Sequence, residues 1–190
     1  MSAAGGPLFA AALARVLEVE RLYSNRSSDP GRETVWGVSR TRWPDWAGWA
    51  IVDALRGPGF PQSLATGPRA AELSALVAEF YLHEFWRVCR CDELAAVDEV
   101  LAVKVFDTAV NIAPAMAAEL LQGCLRTAGR RNVSADGQIG PETLAAVRVL
   151  PPAVLLASFR AAQRGYYLGL MRANSVLREN RGGWLRRAES

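Results

Sequence analysis

"EVERLYSNRSSDPGRETVWGV", residues 18–38, decides how this chain folds. Before it, Leu8, Leu13, Val16 and Leu17 mark one apolar face at helical spacing, from about residue 8 to 19. From Ser24 to Gly31 the composition turns to Ser, Asn, Asp, Pro and Gly, which build turns and stop helices. "ETVWGVSRT" then sets β-branched and aromatic residues at alternate positions and reads as one arm of a hairpin near residues 23–40. Four carboxylates, Glu18, Glu20, Asp29 and Glu33, crowd this junction together with the hydroxyl of Thr34. Two readings fit them. They are a solvated helix exit, or they mark a place where a proton is moved.

Cleavage of a glycosidic bond is one reaction the second reading suits. It needs a carboxylic acid that gives a proton to the leaving oxygen, and a second carboxylate across the sugar that activates water or stabilises the cation. A helix end can fix the first group, and a hairpin folding back can present the second. Glu20 at the helix exit, Asp29 in the turn and Thr34 at the start of the next strand fit that order, with Thr34 placed to hydrogen-bond the water. Trp36, in the hairpin, is the one tryptophan of six singled out for stacking on a sugar ring; the others read as core.

Outward from this junction the chain reads as helices. Asp45 is the expected N-cap of "DWAGWAIVDALR", which "GPGFP" stops. A strong helix follows from Arg69 to Arg87, another from about Val97 to Asn111, and a third from Pro114 to near Gly129. Asp136-Gly137 makes a turn, with Pro141 at the first position of the next helix. Pro151 and Pro152 break that helix and seed a long one to about Asn180. The best division of the chain lies near residues 90–96, with a helix-and-hairpin lobe before it and an all-helical lobe after.

At 190 residues and 51% hydrophobic, the chain suffices for one compact core or two small lobes. Its charged fraction of 22% and net charge of +3 exclude a disordered class. The pI near 9.0 permits a polyanionic partner, but no block of basic residues with interleaved aromatics points to nucleic acid. Arg178, Arg181, Arg186 and Arg187 read as a solvated tail or a binding patch. No apolar run has the length of a membrane span, and the start lacks the basic region of a signal peptide, so synthesis in the cytoplasm is expected. Cys89 and Cys91 are too close in sequence for a structural disulfide, and with Cys124 they read as reduced packing residues. A single histidine, His83, argues against a metal site; it reads as a structural residue in mid-helix rather than half of a cysteine dyad. No metal or cofactor is expected.

The quoted stretch resembles the signature of glycoside hydrolase family 108, roughly Glu-Gly-Gly-Tyr, an Asn, Asp-Pro-Gly-Gly, a Thr and Gly-Ile-Thr. Here it stands as Glu20-Arg21-Leu22-Tyr23, Asn25, Asp29-Pro30-Gly31-Arg32, Thr34 and Gly37-Val38-Ser39. "WRVCRCDEL" and "VFDTAVNIAPAMAAELLQ" resemble the middle of that family. "DGQIGPETLAAV" and "RGYYLGLMRAN…RGGWLRR" resemble the peptidoglycan-binding region that follows it. The resemblance implies a mainly α, lysozyme-like α+β fold: a helical two-lobed domain with one small hairpin, residues 8–92 catalytic and 93–187 peptidoglycan-binding. It implies an N-acetylmuramidase of the phage-endolysin kind, acting on bacterial peptidoglycan in the periplasm or cell wall after export; a holin for export and a monomeric state are expectations beside it. Glu20 matches the catalytic glutamate. Asp29 and Thr34 are its secondary partners by similarity to phage-type lysozymes. Tyr23, Asn25, Trp36, Asp107 and Asn111 are the candidate substrate contacts, Asp107 and Asn111 being spaced to share a helix face.

Three departures weigh on that reading. Arg21 and Leu22 replace the two glycines after the glutamate, and Arg32 replaces a third. Glycine there would permit unusual backbone angles or close approach of a sugar. Arg21 also sets a cation beside the expected acid, and a nearby cation favours ionised Glu. Asn111-Ile112-Ala113 lacks the usual glycine after Asn-x. The alternative is a diverged, non-lytic peptidoglycan-binding or secretion-associated protein with the same fold.

Overall fold

The computed structural model describes residues 5–25, 33–174 and 181–189. The chain divides into two compact units, Met1–Glu84 and Phe85–Ser190.

In the first unit α1 spans Gly6–Val19 and buries Phe9, Ala12, Leu13 and Val16, the apolar stripe of the sequence. It ends without a glycine. Glu20 is already extended, at φ −74° and ψ 135°, and its N–H still reaches Val16 O at 3.1 Å. Strand pairing takes over the backbone from there. β1 (Tyr23–Asn25), β2 (Glu33–Val35) and β3 (Val38–Ser39) form an antiparallel sheet in that order. The expected hairpin thus carries a third strand. Its second turn is Trp36-Gly37, with φ of 42° and 80°, the two positive angles that a two-residue turn needs to follow the twist of the strands.

After the sheet come α2 (Gly48–Ala54), α3 (Ser63–Thr66) and α4 (Ala70–Tyr81). Asp45 is not the N-cap of α2. Residues 43–47 make turn bonds of their own, Trp43 N–H to Ser39 O and Trp46 N–H to Trp43 O, so the helix begins later, with Ala47 at the cap. α4 buries Leu73, Val77, Phe80 and Tyr81. The helix expected to run on to Arg87 changes pitch after Tyr81: Leu82–Trp86 is a π-helical turn that leads into the second unit.

The second unit holds α5 (Cys91–Ala95), α6 (Glu99–Ile112), α7 (Pro114–Thr127), α8 (Pro141–Arg148), α9 (Pro152–Ala173) and α10 (Arg181–Glu189). Asp98 caps α6, its Oδ1 accepting from Leu101 N–H at 2.6 Å. The "DGQIG" turn is clamped by buried Gln122. Its Nε2 donates to Asp136 Oδ1 and to Gln138 O, both at 2.8 Å, and its Oε1 accepts from Gly137 N–H at 3.0 Å. α9 stops at Ala173 rather than near Asn180, since Asn174 is extended; residues 175–180 lie outside the described residues. The "RGGWLRR" segment is helical, and Trp184 stacks on Tyr167 with ring centroids 5.1 Å apart. The three cysteines are free and buried.

Candidate active site

Glu20 owes its position to the way α1 ends. One more helical turn would carry its side chain around the helix, whereas the extended backbone at Glu20 turns it toward the sheet. Its carboxylate rests against the Trp36-Gly37 turn. A Cβ built on Gly37 would lie 3.1 Å from Glu20 Oε2 and 2.5 Å from the Tyr81 hydroxyl oxygen. Carboxylate and phenol therefore converge on one glycine, and only glycine leaves them room. Tyr81 is buried at the end of α4, and its hydroxyl donates to Trp36 O at 2.9 Å. Trp36 N–H in turn donates to Leu22 O at 3.2 Å. The turn beside Glu20 is thus tied to a helix on one side and to the chain leaving α1 on the other. Glu20 itself is half-buried, whereas Glu18 is exposed.

Strand alternation sorts the other candidates. Thr34 lies opposite Ser24 on one side and Ser39 on the other, so three hydroxyl residues form a row across one face of the sheet. Glu33 points to the opposite face and is 8% exposed. It accepts from the Tyr23 hydroxyl at 3.1 Å and pairs with Arg40 Nε at 2.7 Å and with Arg56. Asp53 bridges the two arginines, and its hydrogen bond to Arg40 holds its carboxyl below the usual range. Glu33 is therefore a structural ion-pair centre. Tyr23 belongs to the same network, its ring also edge-on to Phe60 at 4.7 Å. Asn25 and Arg21 are exposed and Trp36 is half-buried. Asp29 and Arg32 lie outside the described residues.

Asp107 and Asn111 both sit on α6 in the second unit. Asp107 Oδ1 is 3.5 Å from Arg187 Nε, while Oδ2 has no hydrogen-bond partner among the described residues. Burial pushes the Asp107 carboxyl up. Asn111 Oδ1 accepts from the Tyr167 hydroxyl at 2.6 Å, and burial raises that phenol to about 12. Nearby Lys104 is buried, donates to Arg187 O, and is lowered to about 8 by burial.

Two features escaped the sequence. Tyr81 gives no local signal, because a tyrosine at the end of an apolar stripe reads as core. The helix that carries His83 changes pitch there, so that His83 stands exposed on a π-helical turn. Among the described residues, no three His, Cys, Asp or Glu side chains gather as a metal site, and no helix is long and apolar enough to cross a membrane.

Residues 13–112 match the family model described as Glycosyl hydrolase 108, and residues 116–189 match one described as Predicted Peptidoglycan domain. No curated protein matches the chain. Among solved structures, that of Brucella abortus SagA is similar, with a TM-score of 0.57 and 21% identity over 96% of each chain. That likeness, with the helices and small sheet above, is to a lysozyme-like α+β fold.

Proposed function

The chain belongs to the Glycosyl hydrolase 108 family, and from that premise we propose that it is an N-acetylmuramidase that cuts the glycan strands of peptidoglycan, with Glu20 as general acid. The observation that carries this is the seat of Glu20: a half-buried carboxylate at a helix exit, held against a glycine turn that Tyr81 anchors. In the proposed reaction Glu20 protonates the glycosidic oxygen. Asp29 is the proposed second carboxylate, which stabilises the cation or activates water, and Thr34 orients that water. Trp36 and Asn25 contact the glycan in the first unit. Tyr23 supports the sheet through Glu33 and presents its ring edge. Asp107, through its unpartnered oxygen, and Asn111 are the proposed contacts in the second unit. Action in the periplasm or cell wall, after passage through a holin pore, belongs to the same proposal.

The test is release of reducing ends from purified peptidoglycan. Glu20→Gln keeps the shape of the side chain but has no proton to give, so the rate should fall on the order of a hundredfold or more. Wild-type-like release by Glu20→Gln would refute the role of Glu20. Arg21 and Leu22, standing where the family has glycines, favour a second reading: a peptidoglycan-binding protein without turnover. No release by the wild-type chain, with binding to cell wall intact, would favour that reading.

A further inference from the structure

Away from Glu20, the first unit holds a cavity of about 560 Å³ between the 42–47 turns, α4 and the π-helical turn. Trp43, Trp46 and Phe80 form its aromatic wall. Both indoles are steeply inclined to Phe80, with centroids 5.1 Å and 6.3 Å away, and both are half-buried, so part of each ring borders the cavity. One side of the Trp46 ring packs on Gly48, where a Cβ would come within 2.3 Å, and Trp49 meets the same ring at a steep angle with centroids 5.2 Å apart. Asp45, Glu79 and Glu84 also line the cavity, against one arginine, Arg42, and His83. Elsewhere in this unit Glu33, Asp53 and Glu72 are ion-paired, whereas Asp45, Glu79 and Glu84 form no ion pair among the described residues.

Aromatic faces attract a cation through their quadrupole, and unpaired carboxylates at the rim add a field of the same preference. A neutral sugar would gain from the rings but has no use for three carboxylates. An anionic group would be repelled. We infer that this cavity binds an aliphatic ammonium group, the side-chain amine of the diamino acid in a peptidoglycan peptide stem. The choice of stem rests on the proposed substrate; the ammonium preference rests on the cavity alone.

The experiment uses full-length Glu20→Gln protein, so that no turnover intrudes, and follows the indole N–H resonances of Trp43 and Trp46 by NMR. Nα-acetyl-lysine methylamide should shift both and saturate. Its Nε-acetylated form should bind about 2- to 30-fold more weakly, the range for one cation–π contact. Asp45→Asn, Glu79→Gln and Glu84→Gln together should abolish the difference between the two probes; if that triple variant does not fold, Glu79→Gln alone should narrow it. Equal binding of the two probes, or shifts produced by chitotriose instead, would overturn the ammonium assignment, as would no shift with the lysine probe. With wild-type protein, acetylating the amines of purified peptidoglycan should then raise KM for reducing-end release without changing kcat; an unchanged KM would overturn the stem assignment. Binding is read without catalysis, so failure of the muramidase reading leaves the first result interpretable.

Discussion

Gly37 shows how much a single residue decides in this site. Its φ of 80° is one that side chains rarely adopt, and the space where a Cβ would go is bounded by the Tyr81 hydroxyl and the Glu20 carboxylate. Gly37→Ala should cost about 1–3 kcal/mol in urea unfolding from backbone strain alone. The same change should lower glycan cleavage, because relief of the clash must move Tyr81 or Glu20. Tyr81→Phe tests the anchor more gently. It removes the bond to Trp36 O and leaves that carbonyl without its donor, at about 1 kcal/mol. A Tyr81→Phe protein with unchanged stability would show that the turn holds itself.

At the scale of elements, two charge clusters serve opposite ends. Glu33 holds β2 to the chain around α2 through Arg40 and Arg56. Glu33→Ala should therefore destabilise the first unit by about 2 kcal/mol, since two guanidinium groups lose their buried partner. Cleavage per folded molecule should change far less than in Glu20→Gln. In the second unit Lys104 joins α6 to α10. Burial lowers it to about 8 from its ordinary 10.5, so the unfolded chain holds that proton more tightly than the folded one. Between these two values unfolding takes up a proton, and stability rises with pH; below about 8 the cost of the buried charge is present in full. Measured against Lys104→Met, which cancels the cysteine and tyrosine titrations, the wild-type Tm should climb between pH 8 and 10. A constant difference would refute the lowered lysine.

For the whole molecule, two family matches in sequence order join a glycosyl hydrolase region to a peptidoglycan domain. Binding and cleavage should then separate by mutation. Glu20→Gln should sediment with insoluble peptidoglycan like the wild type while releasing few reducing ends. Loss of both together would mean that Glu20 supports the fold rather than the reaction. A chelator should leave cleavage unchanged, because proton transfer between carboxyl groups, sugar and water requires no metal; activity lost in chelator and restored by one added metal would refute this.

The sequence by itself determined the local features. Apolar spacing set α1 and α4, proline and Asp-Gly positions set the starts of α7 and α8 and the turn before α8, and the order of Glu20, Asn25, Thr34 and Gly37 carried the family. These signals are legible because each is carried by residue types at fixed spacings along one short stretch of chain. Tertiary structure alone decided the rest. Whether Glu33 or Glu20 is the tethered carboxylate depends on Arg40 and Arg56 arriving from farther along the chain. The seat of Glu20 depends on Tyr81, 45 residues from the turn it anchors. Asp45 loses its capping role because the turn bonds of residues 43–47 delay the start of α2, and the helix through His83 changes pitch after Tyr81, against local preference. Contacts between residues distant in sequence leave no periodic trace, and such contacts turn a crowd of acids at a helix exit into one structural carboxylate and one aimed at a glycine.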